Sequence, residues 1–117
     1  MSEDRLTDLQ RRVAEFAAAR DWDPFHSPKN LAMALSVEAS ELLEEFQWLT
    51  EEQSRSLDPE RLERVRLEMA DVLIYLLRLA DKLDVDLPRA ATDKLALNEQ
   101  KYPADLVRGS SRKYTEY

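Results

Sequence analysis

Cysteine is missing from this sequence altogether, and glycine and histidine occur once each, as Gly109 and His26. Without cysteine there is no disulfide and no thiolate metal site. With a single imidazole, zinc is a poor fit. One glycine excludes the glycine-rich loops that cradle phosphates in P-loop and dinucleotide-binding proteins, so any phosphate chemistry must use another device. Long apolar runs are missing too. None approaches the ~20 residues of a membrane span, and the opening MSEDRLTDLQ lacks the apolar core of a signal peptide. The expectation is a cytoplasmic protein with no membrane partner. Basic residues are the minority, 17 Lys and Arg against 24 Asp and Glu. That balance argues against a chain that coats a nucleic acid polymer by neutralising phosphates, and it suits the binding of cations.

The chain has 117 residues, which fits one domain over 1–117 with a polar, basic tail at 103–117. Strand signals are weak: there is no β-branched alternation and no Asn-Gly or Asp-Gly turn. Four helices are read instead, giving an all-α four-helix bundle. The first runs from about Asp4 to Arg20 on the stripe Leu6, Leu9, Val13, Phe16 and Ala17. The second opens with Ser27 as N-cap and Pro28 in the first turn, and runs to about Leu49. The third opens with Asp58 and Pro59 and reaches about Leu83. The fourth starts near Leu87 or Pro88 and ends before Pro103.

RLEMADVLIYLLRLA, residues 66–80, raises the functional question. Two carboxylates, Glu68 and Asp71, sit in the most apolar stretch of the chain, where an unpaired charge costs several kcal/mol or is neutralised by a pKa shift. On a helical wheel, Leu62, Val65, Met69, Val72, Leu76, Leu79 and Leu83 share one face. Glu68 falls inside that arc, Asp71 at its edge, and Tyr75 between them one turn on. The second helix repeats the pattern. Leu31, Ala34, Leu35, Leu42, Phe46 and Leu49 form its apolar face, with Glu38 in the middle, Glu41 at the edge, Glu45 close to Glu38, and Glu44 pointing away. Packed antiparallel, the two helices bring E-x-x-E and E-x-x-D face to face. Such a cluster repels itself at neutral pH and needs cations. Oxygen ligands without His or Cys suit Mg²⁺ or Mn²⁺. A di-iron centre would need Glu-x-x-His pairs, which one histidine cannot provide. Acids at i, i+3 are also common on solvated faces, where Lys or Arg balance them, so spacing alone leaves both readings open.

VEASELLEEFQW followed by EMADVLIYLLRLA resembles the MazG-like nucleotide pyrophosphohydrolases, an all-α superfamily, and more narrowly its dCTP pyrophosphatase branch. The resemblance extends through RDWDPFHSPKNLAMAL, DVDLPRAATDKLALNEQKYP and the tail RGSSRKYT, nearly the whole chain. It implies Mg²⁺-dependent hydrolysis of a nucleoside triphosphate, dCTP or its 5-substituted forms, to the monophosphate and pyrophosphate, in the service of nucleotide-pool sanitation. It makes Glu38, Glu41, Glu68 and Asp71 the metal ligands and catalytic acids, with Glu45 or one of the four orienting the water. It puts Lys94 on phosphate and Asn98 on sugar or phosphate, with Lys101 and Tyr102 continuing toward the same pocket. Arg108, Arg112 and Lys113 become tail cations that close over phosphates or stay solvated. Aromatic faces stack on bases, which makes Trp22, Phe25, Trp48 and Tyr75 candidate base walls. His26 either touches the ligand or caps the following helix. Two departures stand out. Val37 replaces the first Glu of E-E-x-x-E, as in the dCTP branch. Val13 stands where eukaryotic members carry a base-enclosing His, which leaves base selectivity open. Relatives form dimers or dimers of dimers, so a homotetramer is expected. The alternatives are a broader hydrolase of dUTP or damaged triphosphates, and a helical interaction module in which the acids are interfacial salt bridges.

Overall fold

The computed structural model describes residues 5–109, and every regular element among them is helical. In order these are α1 (Arg5–Ala19), a 3₁₀ turn at Asp23–Phe25, α2 (Pro28–Glu44), α3 (Glu51–Ser54), α4 (Pro59–Leu83), α5 (Leu87–Lys101) and α6 (Ala104–Val107). The chain divides into two compact units between Asp84 and Val85.

The helix starts follow their sequence signals. Ser27 accepts from the Asn30 amide (3.1 Å), Asp58 from Arg61 (2.8 Å) and Asp86 from Arg89 (3.1 Å), each with a proline in the first turn. Ser27 therefore caps α2, a role also considered for His26. Thr50 and Gln53 form a reciprocal capping box that opens α3, a helix the sequence reading took as loop. A second short helix, α6, lies in the segment read as tail.

The stops were harder to read. α2 ends at Glu44 rather than near Leu49. The amides of Glu45 and Phe46 bond three residues back instead of four, and Arg61 on α4 donates to the Glu45 carbonyl at 2.6 Å. A cation thus satisfies a carbonyl that an uninterrupted helix would have used. α4 stops at Asp84, which takes the left-handed conformation (φ 55°) usually left to glycine.

In the first unit α4 packs against α2 and α1. Its core is Ala17, Leu31, Val65, Leu77 and Ala80. All six apolar positions predicted for the second helix are buried or half-buried, including Phe46 and Leu49 beyond the observed end of α2. On α4 the expectation needs correcting. Val65, Val72 and Leu79 turn inward, but Leu62, Met69, Leu76 and Leu83 are exposed. The helix carries two apolar strips: one packs within the unit, and the other, repeating every seventh residue, lies along its flank. A single averaged wheel face merged them. The second unit holds α5 and α6. There Asn98 and Tyr102 are half-buried, and the Tyr102 amide closes α5 on the Asn98 carbonyl at 2.8 Å.

Candidate active site

Glu38 and Glu41 sit one turn apart on α2 and face Glu68 on α4. One carboxylate oxygen from each lies within 4.8 Å of the others, and all three side chains are half-buried. About two turns away, Arg61 of α4 meets Glu45, the C-cap of α2. Moving back along α2 corresponds to moving forward along α4, so the pair is antiparallel. Side chains at i and i+3 share a face, and antiparallel packing turns two such pairs toward each other.

The electrostatics are those of crowded like charges. Glu38 is pushed up to about 7, first by burial, then by Glu41, Asp71 and Glu68. Glu68 is raised as well, again by burial first, then by Glu41 and Asp71, with a contribution from Glu45. Glu38 Oε2 and Glu68 Oε2 are buried without a hydrogen-bond partner among the described residues. Buried carboxylate oxygens are normally satisfied, so these two call for a partner. A hard divalent cation fits a donor set made only of carboxylate oxygens. Glu45 is differently placed: its Oε1 accepts from Arg61 (3.4 Å) and Arg64 (3.2 Å). That carboxylate is committed to two guanidiniums.

Asp71 is exposed and lies outside the three-acid group. It lines a cavity of ≈ 260 Å³ with Val13 and Phe16 of α1, Trp22 and His26 of the following loop, and Tyr75 of α4. Because the Asp71 charge also acts on Glu38 and Glu68, the acids and the cavity share a border. Trp22 is fixed edge-on to Phe16, with ring centroids 5.7 Å apart, and stands 6.2 Å from His26. Edge-to-face contacts of this kind hold an aromatic in one orientation.

At the far side of this cavity is a network that the sequence reading missed. Arg78 is buried (4% exposed). It donates to Asp81 (3.0 Å), to His26 Nδ1 (3.0 Å) and to Asp23, while Lys82 also donates to Asp23 (2.7 Å). The two cations hold Asp23 below the usual carboxylate range. One signal was available: an arginine inside LLRLA, on a stretch already suspected of facing inward.

The remaining predicted residues are scattered. Phe25 (68% exposed) and Trp48 (86% exposed) do not line the cavity. Lys94, Asn98 and Lys101 are on α5, Tyr102 follows it, and Arg108 follows α6, where it pairs with Asp105 at 3.5 Å. Arg112 and Lys113 lie outside the described residues.

The MazG-like family profile matches residues 33–117. Human dCTP pyrophosphatase 1 is 48% identical over 116 residues, covering 97% of this chain and 68% of the relative. Bovine dCTP pyrophosphatase 1 is 45% identical over 117 residues, covering 98% and 69%. A solved pyrophosphatase from Archaeoglobus fulgidus superposes with a TM-score of 0.77 at 40% identity, over 88% of this chain and 96% of that one.

Proposed function

We propose, for a chain that belongs to the MazG-like family and is a nucleoside triphosphate diphosphatase, that the substrate is dCTP, with 5-modified dCTP, in cytoplasmic nucleotide-pool sanitation. One water is consumed, the anhydride between the α and β phosphates is cleaved, and dCMP and pyrophosphate leave.

One observation carries this reading. Two buried carboxylate oxygens without hydrogen-bond partners among the described residues, Glu38 Oε2 and Glu68 Oε2, belong to an acid cluster that borders an aromatic cavity through Asp71. Glu38, Glu41, Glu68 and Asp71 would hold Mg²⁺, with Mn²⁺ as a substitute. When bound, the cation neutralises the triphosphate and lowers the pKa of the attacking water. The chain's own part is placement. Trp22 and Tyr75 offer ring surfaces to the base, and the cavity walls shelter it from water. Lys94, Asn98, Lys101 and Tyr102 would take phosphate and sugar, with Arg108, Arg112 and Lys113 closing over the phosphates. We assign Trp48 to the base of a neighbouring copy, with Phe25 kept as a candidate base wall outside the cavity. The exposed heptad row Leu62, Met69, Leu76 and Leu83 supports assembly of α4 against another copy, as does the apolar exposure of Trp48; a homotetramer is the expected form.

A broader base range is the second reading. Val13 is a cavity wall, and an aliphatic side chain there offers a base no hydrogen bond, so dUTP would fit the same space. The test is product analysis by ion-exchange chromatography over all canonical dNTPs and NTPs plus 5-methyl-dCTP, in excess Mg²⁺. Metal-dependent dCMP and pyrophosphate, with dCTP preferred, is the expected result. Equal turnover of dUTP moves the assignment to the broader reading, and no turnover of any nucleotide by folded protein overturns it.

A further inference from the structure

Arg78 uses three nitrogens on three different partners, and one of these bonds says something about the cavity. Nη1 and Nη2 go to Asp81 and Asp23, an arrangement that fixes the guanidinium plane. Lys82 holds Asp23 from a second direction. Nε then points at His26 Nδ1, 3.0 Å away. A guanidinium only donates and is always protonated, so Nδ1 must contribute its lone pair. An imidazole that accepts at Nδ1 and is neutral carries its proton on Nε2. Burial favours the neutral ring, and the positive charges of Arg78 and Lys82 outweigh Asp23 in the same direction. His26 also forms part of the cavity wall beside Trp22.

We propose that Arg78 is a positioning residue that locks His26 as its Nε2–H tautomer, so that the cavity presents a hydrogen-bond donor to a carbonyl oxygen of a pyrimidine base. The proposal rests on the reading of the cavity as the base site and goes a step further. The other tautomer would offer Nδ1–H to Arg78, setting donor against donor, and would turn an acceptor toward the cavity. The lock therefore decides the sign of the polar group at that wall. A base with a carbonyl there is accepted. One with an amino group there sets donor against donor and leaves both unpaired, a mismatch that discriminates more strongly than shape. Asp23 and Asp81 serve the same end at one remove, because they hold the guanidinium that holds the ring.

His26 is the only histidine, so its ring nitrogens can be read without assignment in ¹⁵N-labelled wild-type protein. Long-range ¹H–¹⁵N correlation near neutral pH should show a protonated Nε2 and an unprotonated Nδ1, with the Nε2 resonance moving when dCMP is added. A charged ring or an Nδ1–H tautomer overturns the lock. An unmoved Nε2 resonance, with dCMP binding established by calorimetry, overturns the donor role and leaves the base site standing. If dCMP does not bind and dCTP is not turned over, both readings fall. Two variants separate positioning from mere structure. His26→Gln keeps a donor where Nε2 stood, whereas His26→Asn keeps only the acceptor for Arg78. KM for dCTP should rise about 3-fold in the first and about 30-fold in the second, with kcat nearly unchanged, since a buried donor left unmade costs roughly one to two tenfold steps. Arg78→Lys, which keeps the buried cation, should fall between them. Equal KM values in the two His26 variants would overturn the proposal.

Discussion

Two charged stations on the inward side of α4 have opposite fates. At Glu68 the helix meets Glu38 and Glu41 of α2, and among the described residues Glu38 Oε2 and Glu68 Oε2 are left buried without a hydrogen-bond partner. About three turns on, at Arg78, the same helix meets Asp23, Asp81 and His26, and every nitrogen of the guanidinium has a partner. Both stations place charge in a protein interior at a cost. The second is settled within the chain and becomes architecture. The first is left open, and an open buried charge is a place for a ligand. The contrast separates functional from structural ionisable groups better than burial does, since Arg78 is the more deeply buried of the two.

If that distinction holds, substitutions at the two stations should fail in different currencies. Glu68→Gln should abolish turnover, by about 10³-fold or more, because cation-assisted charge stabilisation contributes several kcal/mol. Its fold should be unharmed without metal, as urea unfolding would verify; a strongly destabilised Gln variant would mean that Glu68 is structural. Arg78→Met should act first on stability and, through His26, on KM while leaving kcat nearly unchanged. It strands Asp23, Asp81 and the His26 ring, and stability should drop by about 3 kcal/mol in the same assay, whether or not Mg²⁺ is present.

A smaller effect concerns pH. Glu38 titrates near 7 in the folded chain against 4.5 for a free side chain. Folding therefore takes up protons between those values, and native stability falls as pH climbs through that window. Glu38→Gln lacks this term. Without metal it should match wild type at pH near 4.5 and exceed it in melting temperature at pH near 8, and Mg²⁺ should raise the melting temperature of wild type alone. Identical pH profiles would show that the site is not strained by its own charge. Least of all should happen at Arg66, whose paired contact with Glu63 is solvent-exposed on both sides. Arg66→Ala should leave the melting temperature essentially unchanged, and a clear loss would show that pairing counts even in open water.

Much of this was legible in the sequence, for local reasons. Ser27-Pro28 and Asp58-Pro59 mark helix starts because capping involves residues only three apart. The convergence of Glu38, Glu41 and Glu68 was legible because i, i+3 spacing fixes a face and a short connection favours antiparallel return. The end of α2 was not, since Phe46 and Leu49 keep the apolar period after the backbone has tightened, and Arg61, which takes up the Glu45 carbonyl there, is distant in sequence. The two strips of α4 were merged because a wheel has no second helix on it to say which side is covered. Arg78 escaped notice because its partners, Asp23 and His26, lie more than fifty residues away. For Lys94 and Asn98 the signal was the family resemblance; their spacing of four places them on one face of α5 but says nothing about what that face meets.

The two tryptophans give the molecule two separate colours. In the single chain Trp48 stands almost wholly in water, while Trp22, 43% exposed, packs edge-on against Phe16 and His26 at the cavity wall. Excited indole relaxes to longer wavelengths in a mobile polar medium, so the first should emit to the red of the second. With Trp48 replaced by phenylalanine, the protein would carry one intrinsic lamp, placed where the base is expected to stack, and the filling of the cavity could be followed in real time without a label.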